Sequence, residues 1–430
     1  MKKHVPGKSV NDVGSPRSPL LRAAGKDLLS LALMDARNHT LRWLSVYEAG
    51  LDARDWCVPM RPELNPPLWE AGHIAWFQEH WIGRHVQRQR GTACDPTGVR
   101  LASIEPRADS WYDSSSVAHD SRWLLDLPGL QHTKDYLADT MEITLDLLDA
   151  IDATVDDPDQ ALYFHRLALF HEDMHGEAFA MMAQTLGLKV PTGDGLGPDL
   201  LAPAVGRVNS AQRPPLTFLP MRWTLGLSRG DGFVFDNETA AHEVQLPEFE
   251  IDSQAVTWAQ YAEFVEDGGY DDARWWSTDG WQWVQREGRR VPRHVDQLRQ
   301  GVLQWHFGAL VNRPMHQPVV HVTWYEADAW CRWAGRRLPN EVEWEAAAHA
   351  GAARGFRWGD VWEWTATSFR AYAGFSPDPY RDYSQPWFGT HKVLRGASFA
   401  TSARLRHPKF RNFYRPERDD QFSGFRSCSA

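Results

Sequence analysis

The 430-residue chain has only four cysteines, Cys57, Cys94, Cys331 and Cys428, far apart and with no C-x-x-C pair. That excludes a zinc ribbon and a disulfide framework, and it points to a reducing compartment. Long apolar runs are also missing. No stretch approaches the roughly 20 apolar residues of a membrane span. No apolar segment follows the basic opening MKKHVPGKSVNDVGSP, so no secretory signal can be drawn. The expectation is a cytoplasmic protein without membrane contact. Positive charge is not in excess either, since the formal net charge is −10. General nucleic-acid binding needs a basic surface, so that class is set aside, although the Arg-rich C-terminal end forms a local basic stretch.

Tryptophan, by contrast, is abundant at 22 residues. Most should build cores, and a minority could line a pocket for a cation or a sugar ring. Hydrophobic residues at 43% and charged residues at 24% describe an ordinary folded protein, and the length allows two or three domains. Residues 1–25 read as a loose tail. Residues 26–190 carry four helical patterns, over 26–51, from Asn65-Pro66-Pro67 onward, over 131–150 and over 160–188, which predicts an antiparallel bundle. Residues 191–215 are rich in Gly and Pro and read as a linker. Residues 216–430 read as an irregular α+β domain with long loops and helices over 258–265 and 324–333, and a third around 341–348.

The sharpest chemical signal is His171-Glu172-Asp173-Met174-His175. Histidines four apart on a helix share a face and can share one metal ion. The face continues through Leu167, Met174, Ala178 and Met182, so it points into the bundle, where buried imidazoles need partners. The same spacing also arises by chance in ordinary cores. Glu172 directly after the first histidine matches a zincin, yet a helical bundle is not the setting of that family. His73, in GHIAWFQEHW on another helix of the bundle, is the natural third ligand. His80, two turns on, is its competitor, and His85 reads as an exposed residue near the helix end. Three imidazoles suit iron(II) with open positions for oxygen and substrate, and they suit zinc equally.

GHIAWFQE followed by HEDMH resembles the DinB-like domain of the ergothioneine-biosynthesis sulfoxide synthases. RLPNEVEWEAAA, GDVWEWTATSF, VLRGASFAT and the terminal FRNFYRPERDDQFSGFR resemble the formylglycine-generating-enzyme (sulfatase-modifying-factor, C-type-lectin-like) fold as that family uses it. The resemblance implies a four-helix DinB-like bundle followed by that α+β domain. It implies an Fe(2+) cofactor held by His73, His171 and His175, with O2, a trimethylated histidine (hercynine) and a chalcogen donor as small-molecule substrates. Asn412, beside Phe413, matches an asparagine that helps hold hercynine. Tyr380 falls where a catalytic tyrosine donates a proton in the oxygen step, with Tyr383 as its alternative. Arg122 sits where an arginine meets the carboxylate of the thiol substrate. The WEW and RLPNEVEW segments read as core-building.

The chain departs from the mycobacterial-type pattern at two positions. Met174 stands where a glutamine touches the hercynine carboxylate. Tyr414 stands where an aspartate binds the amino group of γ-glutamylcysteine. Arg418 can still meet an anion, but Asp419 and Asp420 follow it and weaken its pull. A phenol in place of a charged contact suggests a less zwitterionic donor. This favours the selenoneine synthase branch, with a selenosugar donor, over an ergothioneine-type enzyme using γ-glutamylcysteine or cysteine. The segment NPPLWEAGHIAWFQEHW also looks more like that branch. Two other classes remain: a metal-dependent thiol transferase, which would lack the C-terminal half, and a lectin-like binding module on a structural bundle.

Overall fold

The computed structural model describes residues 18–152, 157–191, 200–201, 213–230 and 232–430. The expected linker lies mostly outside these residues, as does the expected tail up to residue 17. The end of that tail is not loose: Ser18–Arg22 is a short helix. Arg22 is drawn out of water because its guanidinium pairs with buried Glu238 at 2.6 and 2.8 Å.

Four long helices follow as expected, at Lys26–Leu51, Pro67–Gln78, Leu130–Asp149 and Pro158–Leu186. Their ends follow from local chemistry. Asp157 caps the last of them by accepting from the amides of Asp159 and Gln160, with Pro158 in the first turn. That helix stops at Gly187, which takes the left-handed conformation (φ 67°) that glycine adopts at little cost. The second helix opens at Pro66-Pro67 and runs into a π-helical turn over Glu79–Gly83.

The C-terminal half contains two four-stranded sheets, a two-stranded hairpin and a three-stranded meander. One sheet orders Asn412–Tyr414, Lys392–Gly396, Trp362–Ser368 and Ser423–Phe425, antiparallel except for the last pairing. Helices form at Trp258–Glu266, Trp324–Trp333 and Glu341–Ala350, each opened by a capping box: Thr257 with Gln260, Thr323 with Glu326, Asn340 with Glu343. A further helix, Thr278–Glu287, has no counterpart in the sequence reading. Its first turn contains Asp279-Gly280, a pair that usually signals a tight turn. Here the glycine serves close packing instead, since a Cβ would lie 3.3 Å from Tyr325.

The WEW and RLPNEVEW segments build the core, as expected. Glu341 pairs with the buried guanidinium groups of Arg395 (3.0 Å) and Arg411 (2.9 Å). Glu363 pairs with Arg426 and accepts from Trp344 Nε1 at 2.7 Å. Further buried polar contacts join the two halves. Glu177 on the last bundle helix accepts from Trp362 Nε1, Ser398 and Thr401, while Arg404 reaches back to Asp173 at 2.7 Å. Among the described residues, no helix is long and apolar enough to cross a membrane.

Candidate metal centre and active site

The helices at Pro67–Gln78 and Pro158–Leu186 bring His73, His171 and His175 together. One ring nitrogen of each lies within 4.8 Å of the others. His171 and His175 face each other Nε2 to Nε2 at 3.1 Å, as expected for residues one turn apart. Each outer nitrogen that has a partner is oriented by it. His73 Nδ1 is 2.7 Å from the Tyr112 carbonyl, and His175 Nδ1 is 2.6 Å from Glu70 Oε1. Burial pushes the pKa of His73 down to about 3, with His175 adding to the shift, and holds His171 well below its ordinary value. The two rings are therefore neutral and keep lone pairs for a metal. The donor set fits a first-row divalent ion with open positions.

His80 and His85 do not join this set. His80 lies seven residues on, about 10 Å further along the helix axis than His73, too far to reach the same ion. His80 packs between Trp76 and Trp81 instead. His85 is not exposed but fully buried, with Nε2 3.2 Å from Cys94 Sγ and its ring against Trp81 and Phe164.

Glu172, the zincin-like glutamate, faces away from the triad into a buried network. It accepts from Arg37 (2.9 Å), Thr40 (2.8 Å) and Gln78 (3.1 Å). A carboxylate so fully engaged holds helices together and has no lone pair left to act as a general base.

Aromatic rings wall the triad. Phe77 stacks on His171 at 3.6 Å between ring centres, and Trp69 stacks on His73 at 5.1 Å. Tyr380 meets Phe77 edge-on at 5.0 Å and lies 6.2 Å from His171. Burial raises its phenol above the ordinary range, so it keeps its proton at neutral pH. Tyr383, its alternative, stacks on Phe235, and its hydroxyl is 3.9 Å from Met174 Sδ. Both tyrosines are thus on the same side of the centre, with Tyr380 against the ligand rings.

The other residues singled out from the sequence divide. Tyr414 reaches the bundle, its hydroxyl 4.0 Å from Met181 Sδ. Arg418 stands 5.5 Å from the Tyr414 ring, but its guanidinium is paired with buried Asp420 through both Nε and Nη2. Asp419 instead pairs with Arg289 and Arg293. Asn412 shares a strand face with Tyr414, and its Oδ1 accepts from the Phe413 amide. Phe413 turns the other way and stacks on Phe369 at 4.0 Å, so it packs within the C-terminal domain. Arg122 lies 3.7 Å above the Trp69 ring and donates to Asn65 Oδ1 at 2.8 Å. Sequence reasoning missed Glu70, whose carboxylate faces His175 and accepts from Asn65 Nδ2 at 2.8 Å. The available signal was a carboxylate three residues before His73, on the same helix.

Known families account for both halves. Residues 36–179 match the DinB superfamily, and residues 222–360 and 357–430 match the sulfatase-modifying factor enzyme 1-like domain. The hercynine oxygenase of Mycolicibacterium smegmatis is 32% identical over 93% of this chain and 98% of its own. That of Mycobacterium tuberculosis is 32% identical over 93% of this chain and 97% of its own. A formylglycine-generating enzyme of Streptomyces coelicolor is 28% identical over 45% of this chain and 79% of its own. Sharing nearly its whole length with enzymes of that kind, the chain belongs to the hercynine oxygenase family of oxidoreductases.

Proposed function

We propose that the protein uses iron(II) and oxygen to join a chalcogen donor to the imidazole of hercynine, with a selenosugar as its preferred donor. The observation that carries this reading is the convergence of three imidazoles beside a buried, protonated tyrosine. Iron(II), when bound by His73, His171 and His175, supplies the redox chemistry that opens oxygen to reaction. The protein's own residues do the rest. Tyr380 holds a phenolic proton at the edge of the ligand rings, where a general acid is needed. Phe77, Trp69 and Tyr383 wall the site with aromatic surface, the kind of lining that suits a trimethylammonium group. Asn412, on the strand that carries Tyr414, is the residue assigned to orient hercynine in this reading.

The donor reading rests on the charge of the far side of the site. Tyr414 brings a neutral phenol, and the Arg418–Asp420 ion pair has no net charge to offer. An α-ammonium group brought there would find no carboxylate free to receive it, which costs several kcal/mol. A neutral sugar meets no such penalty. The second reading, a sulfur donor such as γ-glutamylcysteine or cysteine, is favoured by the whole-length similarity to the mycobacterial enzymes and by the guanidinium of Arg122 near the triad. Competition separates the two. With both donors at equal concentration, the selenosugar should be consumed first, and Tyr414→Asp should shift preference toward the peptide. Prior consumption of γ-glutamylcysteine by the wild type would replace the selenosugar reading with the sulfur one.

A further inference from the structure

Behind His175 runs a chain of hydrogen bonds. Glu70, 1% exposed, contacts His175 Nδ1 at 2.6 Å through Oε1 and accepts from Asn65 Nδ2 at 2.8 Å through Oε2. Asn65 Oδ1 in turn accepts from Arg122 Nη1 at 2.8 Å. The polarity of the chain is dictated by its ends. A carboxylate only accepts and a guanidinium only donates, so a side chain between them must present a donor to one and an acceptor to the other. A primary amide does both. The Asn65 backbone is fixed as well, its amide 3.2 Å from Met182 Sδ. A second route leaves Arg122 through the stack: its Cζ lies 3.7 Å over Trp69, and Trp69 is nearly parallel to His73 (8°).

We infer that Glu70, Asn65 and Arg122 form one positioning relay that orients His175 and strengthens its hold on the metal. A carboxylate receiving the outer N–H of a ligand imidazole fixes the ring and raises the basicity of the inner nitrogen. Of the three ligands, His175 is the one so held, since His73 faces a neutral carbonyl. His175 is also half-buried, where the other two are buried, and so depends more on an external brace. Glu70 needs compensation for its own burial, and Arg122 provides the opposite charge with Asn65 between them. Arg122 thereby serves the metal centre through Glu70, whatever the donor it meets.

The proposal rests on the metal reading of the triad and not on the hercynine chemistry. Titration of the apoprotein with Co2+, followed by visible absorption, tests it without turnover. Glu70→Gln should weaken Co2+ binding by about 10- to 100-fold. Arg122→Gln should weaken it roughly three- to tenfold, and should add nothing in the Glu70→Gln background, because both act along one path. Asn65→Asp separates the relay from a merely structural role. It would pair better with Arg122 but set a carboxylate against Glu70, so the relay predicts weaker Co2+ binding and simple bracing of Arg122 predicts none. Unchanged affinity in Glu70→Gln or Asn65→Asp, or additive losses in the double variant, would overturn the relay. Should Glu70→Gln fail to fold, the isosteric Asn65→Asp decides alone. A wild-type apoprotein that takes up no Co2+ would remove the metal centre itself and the relay with it.

Discussion

The two sides of the site are built on different principles. His73, His171 and His175 stand on helices of 12 and 29 residues, so their convergence follows from helix geometry and bundle packing. Tyr380 and Tyr383 stand on an irregular loop and are fixed from outside. Asp378 at one end of that loop accepts from Tyr163 at 2.9 Å and pairs with Arg229. Ser384 at the other end donates to Asp236 at 2.5 Å. A helix positions ligands with local hydrogen bonds, whereas this loop is held by buried polar contacts to other elements, through its own Asp378 at one end and to Asp236 at the other. The placing of the ligands is therefore set mainly by their helices, and that of the tyrosines by the contacts at the two ends of their loop.

The largest effect should come from the ligands. His171→Ala should lose metal binding and turnover together, measured by metal content after reconstitution and by product formation. Retained activity would break the assignment. On the loop side, Tyr380→Phe should leave metal binding intact and slow carbon–chalcogen bond formation by about 10²- to 10⁴-fold. The same loss in Tyr383→Phe, with Tyr380→Phe unaffected, would transfer the proton to the other tyrosine.

Beneath the ligands, Glu172→Ala leaves the Arg37 guanidinium buried without its carboxylate. It should cost about 3–5 kcal/mol in denaturant unfolding. Glu172→Gln should keep turnover per folded molecule, which a zincin-type general base would not allow.

The smallest expected effect is a pH dependence at the loop clamp. Burial raises the pKa of Asp236 to about 6 from 3.8, so the folded state holds its proton more tightly than the unfolded chain. The native state then binds more protons between those values, and stability falls as pH rises through that window. The shift is worth about 3 kcal/mol at most. Asp236→Asn should flatten that part of the stability–pH curve, and an unchanged slope would remove Asp236 as its source.

Much of the ligand side was legible in the sequence because helical periodicity extends over many residues. The 26–51 pattern coincides with the Lys26–Leu51 helix, and the spacing of His171 and His175 carried their pairing. What failed there was local. His85, expected to be exposed near the helix end, is buried against Cys94, Trp81 and Phe164, and no periodic rule anticipates that packing. The loop side was legible mainly through resemblance. Phe413 adjoins Asn412 in sequence, but strand alternation sends it into the Phe369 stack. The two aspartates after Arg418 are expected to weaken it, but which of them pairs with it, Asp420 and not Asp419, is set by the local bend of the chain. Such contacts depend on turns and on pairings between distant segments, which composition and spacing do not encode.

One measurement reaches the central claim directly. The apoprotein is loaded with iron(II) without oxygen, then given oxygen, hercynine and each candidate donor, and the products are read by mass spectrometry. The account predicts a new product in which the hercynine imidazole carries selenium or sulfur, formed only when iron, oxygen, hercynine and donor are all present. Hercynine recovered unchanged with every donor, from protein that had retained its iron, would contradict it.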